Sequence, residues 1–135
     1  MQKAADDPRV KRLLAALQSV DPEPLRELCH PDFVIEEAAS LPYAGTYRGF
    51  EGLCEVAGRM YASWAECKVT TESIIGDPAG DDFVFLQRMR GLTPRTQRPF
   101  ETTILEMYSF RDGLLIGIRP YYWDTKALID LQRDE

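Results

Sequence analysis

The sequence predicts an α+β domain, a cone in which three N-terminal helices pack against a curved, mostly antiparallel sheet. Three observations predict it. Apolar residues recur at helical spacing through the first half of the chain, whereas from Glu66 onward they alternate over long stretches broken by short turns. No linker, repeat or low-complexity tract interrupts the 135 residues, so residues 1–135 read as one domain.

Asp7-Pro8 announces the first helix, a cap followed by a first-turn proline, and Val10, Leu13, Leu14 and Leu17 fall on one of its faces. Asp21-Pro22 repeats the signal for a short second helix through Leu25 and Leu28, which His30-Pro31 ends because the residue before proline avoids helix. Phe33 to Ser40 is a strand with two glutamates in its middle. The turn-forming LPYAGTYRG is a connection, and Leu53, Val56, Ala57, Met60, Tyr61 and Trp64 mark a third helix. Four strands follow, ECKVTTESII, DFVFLQRMRGL, FETTILEMYSF and LLIGIRPYYW, joined by GDPAGDD, TPRTQRP and RDG. DTKALIDL closes the chain as a helix capped by Asp124 or Thr125.

Successive strand residues point to opposite faces, so the bulkier alternate set of each strand marks the inward face. That set is Phe33, Ile35 and Glu37; Phe83, Phe85, Gln87 and Met89; Ile104, Glu106, Tyr108 and Phe110; and Ile116, Ile118, Pro120, Tyr122 and Asp124. Three acids therefore point inward. The opposite set of DFVFLQRMRGL, Val84, Leu86, Arg88 and Arg90, is mixed rather than polar, which predicts a second subunit over the outer sheet face, a homodimer.

The chain is 44% hydrophobic with a net charge of -6, enough apolar material for a core and the wrong sign for nucleic acid or an anionic membrane. The N-terminus turns charged and helical before an apolar run develops, so the expectation is a soluble cytoplasmic protein. Cys29, Cys54 and Cys67 lack CxxC spacing and read as reduced core thiols. His30 is the lone histidine and reads as a surface or capping residue. Gly45 and Gly49 lack phosphate-loop spacing, and no Ser-His, Cys-His or clustered histidine arrangement is present. Acid-base chemistry without cofactor or metal is what these residues point to.

Glu37 is the candidate base, since burial raises a carboxyl toward working pH, and Glu106, buried deeper, is the candidate proton-bearing donor. The bland reading of Glu37 is an ion pair with Arg48. Asp124 is either a third catalytic acid or only a helix cap. Tyr43 and Tyr47 either supply hydroxyl donors at the cavity mouth or cover the core edge. Tyr43, Met60, Trp64, Phe85, Gln87, Met89, Tyr108, Ile118 and Tyr122 form the expected wall for a flat hydrophobic ligand such as a polyketide, steroid-like or terpenoid compound.

FVIEEA, PYAGTYRGFEGL, LEMYSFRDG and YYWDTKAL together resemble the nuclear-transport-factor-2-like superfamily, which includes ketosteroid isomerase, SnoaL-type polyketide cyclases and limonene epoxide hydrolase. The resemblance spans Pro8 to Leu131. It implies that Glu37 stands at the isomerase's base position and Glu106 at that of its protonated acid. Two departures go with it. The isomerase's phenol donor falls at Leu13, and both acids are glutamate rather than aspartate, so the resemblance does not extend to steroid isomerisation itself. Arg88 and Arg90 lack the acid that the epoxide hydrolase pattern requires. An isomerase or cyclase is the implied activity, with a non-catalytic small-molecule-binding or accessory protein as the alternative on the same scaffold.

Overall fold

The computed structural model describes residues 3–134. Asp7 caps α1 (Pro8–Gln18) by accepting the Arg9 backbone N–H at 2.9 Å, with Pro8 in the first helical position where a missing N–H costs nothing. Val10, Leu13 and Ala16 are buried, while Leu17, expected on the same face, is 42% exposed at the end of the helix. Arg9 forms ion pairs with Asp7 (3.0 Å) and Asp81 (2.8 Å) and lies over the rings of Phe83 and Phe110, tying α1 to the sheet. In α2 (Glu23–Leu28) the Asp21 side chain accepts the Glu23 N–H at 3.0 Å. The chain then passes directly into β1 (Cys29–Glu37), so His30-Pro31 ends the helix by starting a strand.

The helices are not consecutive. The end of LPYAGTYRG, expected as a connection, is strand β2 (Gly45–Arg48), antiparallel to β1 with Gly45 opposite Glu37. Gly49, with φ of 69°, makes the sharp entry into α3 (Gly49–Ser63). Gly52 lets that helix lie against β2, since a Cβ there would meet the Tyr47 backbone at 2.9 Å.

Strands β3 (Ala65–Gly76), β4 (Asp82–Leu92), β5 (Pro99–Arg111) and β6 (Leu114–Tyr122) follow, and then α4 (Thr125–Arg133). The sheet is mixed, with order β2-β1-β6-β5-β4-β3. β1 pairs with β6 in parallel and the other neighbours are antiparallel.

The expected inward set of β4 is buried throughout, as are Phe33, Ile35, Ile104, Tyr108, Phe110 and Ile118. One position differs. Ser109 faces Gly117 and Phe110 faces Leu115, so the register slips by one residue at Ile116, and Leu115 takes the inner place expected for Ile116. Cys29 and Cys67 are partly buried, and burial pushes the Cys29 thiol up to about 11, but Cys54 is exposed rather than in the core. On the outer face Arg88 binds Glu72 and Glu101, Arg119 binds Glu36 at 2.8 Å, and Ile75, Leu105 and Tyr121 are exposed apolar groups.

Candidate active site

Glu37 is the last residue of β1 and follows Phe33 and Ile35 on the inward face. Its Oε1 is buried without a hydrogen-bond partner. Loss of water, and then the nearby Glu106 charge, push its pKa up to about 8. Glu106 lies on β5 opposite Phe85 of β4 and Pro120 of β6, which places it in the same inner layer. Burial raises its pKa to about 7, and the Tyr108 hydroxyl, donating to Oε2 at 3.1 Å, opposes the rise.

Among the described residues neither acid has an ion-pair partner. The pairing with Arg48 does not form, and the Arg119 bond goes to Glu36, on the outer face. Two coupled carboxyls with raised pKa values lose their protons in two steps that belong to the pair. Around neutral pH they hold about one proton between them.

Tyrosines surround the acids. Trp64 Nε1–H donates to the Tyr43 hydroxyl at 3.2 Å, and the Tyr43 and Tyr122 hydroxyls are 2.7 Å apart. Burial pushes the Tyr43 phenol up to about 12 and the Tyr122 phenol further, and the Glu37 charge acts on both in the same direction. Tyr47, the other expected donor, spends its hydroxyl on the backbone carbonyls of Tyr43 (3.1 Å) and Ala44 (3.2 Å), so it fixes the loop instead.

The expected ligand wall is mostly core. Trp64, Phe85 and Met89 are no more than 1% exposed, and Gln87, Tyr108 and Ile118 are nearly as buried. Phe85 packs on Tyr108 with ring centroids 4.5 Å apart, and Gln87 accepts from Thr71 at 2.6 Å. Partial exposure is left to Met60, Tyr122 and the two acids. Tyr61 was missed as a site residue, because its spacing marked it as helix core. It is 55% exposed, and burial, then the Cys67 and Glu106 charges, raise its pKa, so it lies within electrostatic reach of the acid.

Asp124 is a correction to the expected three-acid set. β6 ends at Tyr122, so strand alternation no longer governs Asp124, which is exposed and caps α4 by accepting the Ala127 N–H at 2.9 Å. His30 accepts the Asp32 N–H at 2.9 Å through Nδ1, a local turn bond.

Two open grooves lie away from the acids. One of about 880 Å³ is bordered by Cys67, Lys68, Arg90, Phe100 and Glu101, and one of about 460 Å³ by Thr103, Trp123, Asp124 and Leu128. Among the described residues no group of three or more His, Cys, Asp or Glu is arranged to hold a metal ion, and no helix is long and apolar enough to cross a membrane.

Comparison with known proteins gives a consistent picture of the fold. The structure is similar to an NTF2-like protein from Burkholderia thailandensis, at 23% identity over 100% of this chain and 99% of that one, with a TM-score of 0.79. It is similar to TerC co-crystallised with polyporic acid, at 19% identity over 93% of this chain and 98% of that one, with a TM-score of 0.78. A loop-truncation variant of IdmH matches at 31% identity over 89% of this chain and 94% of that one, with a TM-score of 0.65. No curated protein matches the sequence. The model of the SnoaL-like domain matches residues 10–118, most of the chain, and the chain therefore belongs to the SnoaL-like domain family.

Proposed function

We propose that this protein is a cofactor-independent acid-base catalyst of the isomerase or polyketide-cyclase type, acting on a hydrophobic small molecule held in the cone. The observation that carries the reading is the pair Glu37 and Glu106, both on the inner face of the sheet, with pKa values moved up to about 8 and about 7, and neither in an ion pair among the described residues. Such a pair keeps an acid and a base side by side at neutral pH, which is what moving a proton next to a carbonyl requires. Met60, Tyr61 and Tyr122 supply an apolar and phenolic border suited to a flat ring system. TerC, which has a similar fold, was crystallised with polyporic acid, and that favours a ligand of this general kind.

The test is the double variant Glu37→Gln/Glu106→Gln, assayed by absorbance on a panel of aromatic polyketide-type ketones and conjugated enones. Parent turnover should fall by about a thousandfold or more, since neither amide can exchange a proton. Turnover that survives the double substitution would refute the carboxyl mechanism. Binding of a panel compound with no turnover in the parent would favour a ligand-binding protein.

The reading includes a homodimer formed through the outer sheet face, where Ile75, Leu105 and Tyr121 are exposed beside the Arg88 and Arg119 ion pairs. Sedimentation should give twice the chain mass, and Leu105→Glu should return it to the monomer value. A parent that sediments as a monomer at micromolar concentration removes the dimer.

A further inference from the structure

The hydrogen bonds between Trp64, Tyr43 and Tyr122 have a direction that proton accounting fixes. An indole N–H only donates, so Trp64 occupies one acceptor position on the Tyr43 oxygen. Tyr43 has no solvent exposure, and among the described residues the Tyr122 oxygen is the acceptor within reach of its proton. If Tyr122 were the donor in the 2.7 Å bond, the Tyr43 proton would be buried with nothing to accept it, a full desolvation loss. The chain therefore runs from Trp64 to Tyr43 to Tyr122. The proton of Tyr122 is left unspent at the partly exposed end, where the Glu37 carboxyl acts on it.

The same accounting separates the two acids. Thr71 donates to the Gln87 carbonyl oxygen at 2.6 Å, which turns the Gln87 amide N–H groups toward the Tyr108 hydroxyl, and Tyr108 donates to Glu106. Glu106 thus ends a chain of donors. Glu37 Oε1 has none. An ionised carboxylate only accepts, so with one proton available the charge settles where a donor exists and the proton where none does.

We propose that Tyr122 and a protonated Glu37 form the oxyanion-binding end of the site, and that Glu106, held by Tyr108, is the base that takes the carbon-bound proton. This rests on the acid-base reading of the pair and reverses the division of labour that the ketosteroid isomerase resemblance implies. It also supplies, from β6, a phenol donor that α1 lacks at Leu13. The substrate class is an enolisable carbonyl compound that enters oxygen first toward Tyr122. Glu106 removes a proton from the carbon beside the carbonyl, the C–H electron pair becomes the enolate double bond, and the carbonyl π pair moves onto oxygen. There it accepts hydrogen bonds from Tyr122 and Glu37. Return of the proton from Glu106 to a different carbon completes isomerisation; alternatively the enolate carbon bonds to a second carbonyl of the same molecule, that carbonyl's π pair moves onto its oxygen, and the alkoxide takes the proton from Glu106, which completes ring closure, with no external oxidant or reductant in either case.

Two measurements test the assignment. Carboxyl carbon resonances of glutamate-labelled protein, identified with Glu37→Gln and Glu106→Gln, report which acid is protonated at neutral pH. Glu37 is expected protonated and Glu106 ionised, and the opposite order overturns the division while leaving the acid-base reading intact. Two acids titrating in the ordinary carboxylate range overturn both. The second measurement is binding of 4-nitrophenol, whose ionised form is read by absorbance. Tyr122→Phe should weaken phenolate binding about tenfold to a hundredfold, by loss of a hydrogen bond to a charged oxygen. Glu106→Gln should tighten it by removing a like charge, and Glu37→Gln, whose amide still donates, should change it less than about fivefold. An unchanged Tyr122→Phe with parent-like unfolding, or a parent that does not bind 4-nitrophenol, overturns the oxyanion end. Tightening by Glu37→Gln with weakening by Glu106→Gln restores the division that the resemblance implies.

Discussion

Raising the pH from 5 to 9 will lower the unfolding temperature of the protein by about 10 °C, the reverse of the usual gain as carboxylates ionise. Glu37 and Glu106 hold their protons in the folded chain up to about 8 and about 7, whereas in the unfolded chain they release them near the ordinary 4.5. Folded pKa values raised above the unfolded ones give a stabilisation that is complete below the unfolded value. It is lost as pH climbs through the folded values. After allowance for the solvent that reaches these partly exposed groups, the loss is about 2–4 kcal/mol. Other shifted groups act mainly outside this window. Asp7, Glu72 and Asp130 are lowered and so matter only on acidification, and the Cys29 and Cys67 thiols are raised from 9, so their loss begins only at the top of the range and falls mainly above it. Thermal scans of the parent beside Glu37→Gln/Glu106→Gln read the effect directly, with a flat profile expected for the double variant. A parent profile that is flat or rises over this range means the two carboxyls are not sequestered from water.

Trp64→Ala will cost about 3–5 kcal/mol, the range for truncating a large buried aromatic. Trp64 is 1% exposed and is among the largest fully buried side chains. It follows α3 directly, so it joins helix to sheet, and its ring meets Phe100 of β5 with centroids 4.9 Å apart. Truncation removes that packing and also the N–H donated to Tyr43, leaving a void where the helix layer meets the sheet. Trp64→Phe keeps most of the apolar contact and removes the donor, and should cost about 1–2 kcal/mol. Urea unfolding of both variants separates the contributions. An alanine variant within about 1 kcal/mol of the parent would mean that the interior around Tyr43 is open rather than packed.

Alternation made the inner layer readable from sequence. Phe83, Phe85, Gln87 and Met89 on one long strand, and Ile104 to Phe110 on the next, have a period clear enough to place Glu106 inside, and Phe33 and Ile35 do the same for Glu37. The same rule misplaced Ile116, because a bulge is an adjustment of register between two strands and no single residue signals it. It misplaced Asp124 because the period was carried past the end of β6. β2 escaped notice as four residues among turn formers. Trp64, Phe85 and Met89 were assigned to the right face, but a sequence does not tell whether a face meets a void or another side chain. The Tyr43 and Tyr122 pair joins residues 79 positions apart and exists only in the folded chain.

The parallel pairing of β1 with β6 sets when the carboxyl pair can assemble. Glu37 leaves the ribosome well before β6, the strand that pairs beside it, which is made only after β2 to β5. Helices and the β3–β5 meander can form while the chain is still being made, since their contacts are local. The carboxyl pair has its full surroundings only after β6 has emerged, so a nascent chain that ends between β5 and β6 carries both acids without the strand that sets them side by side.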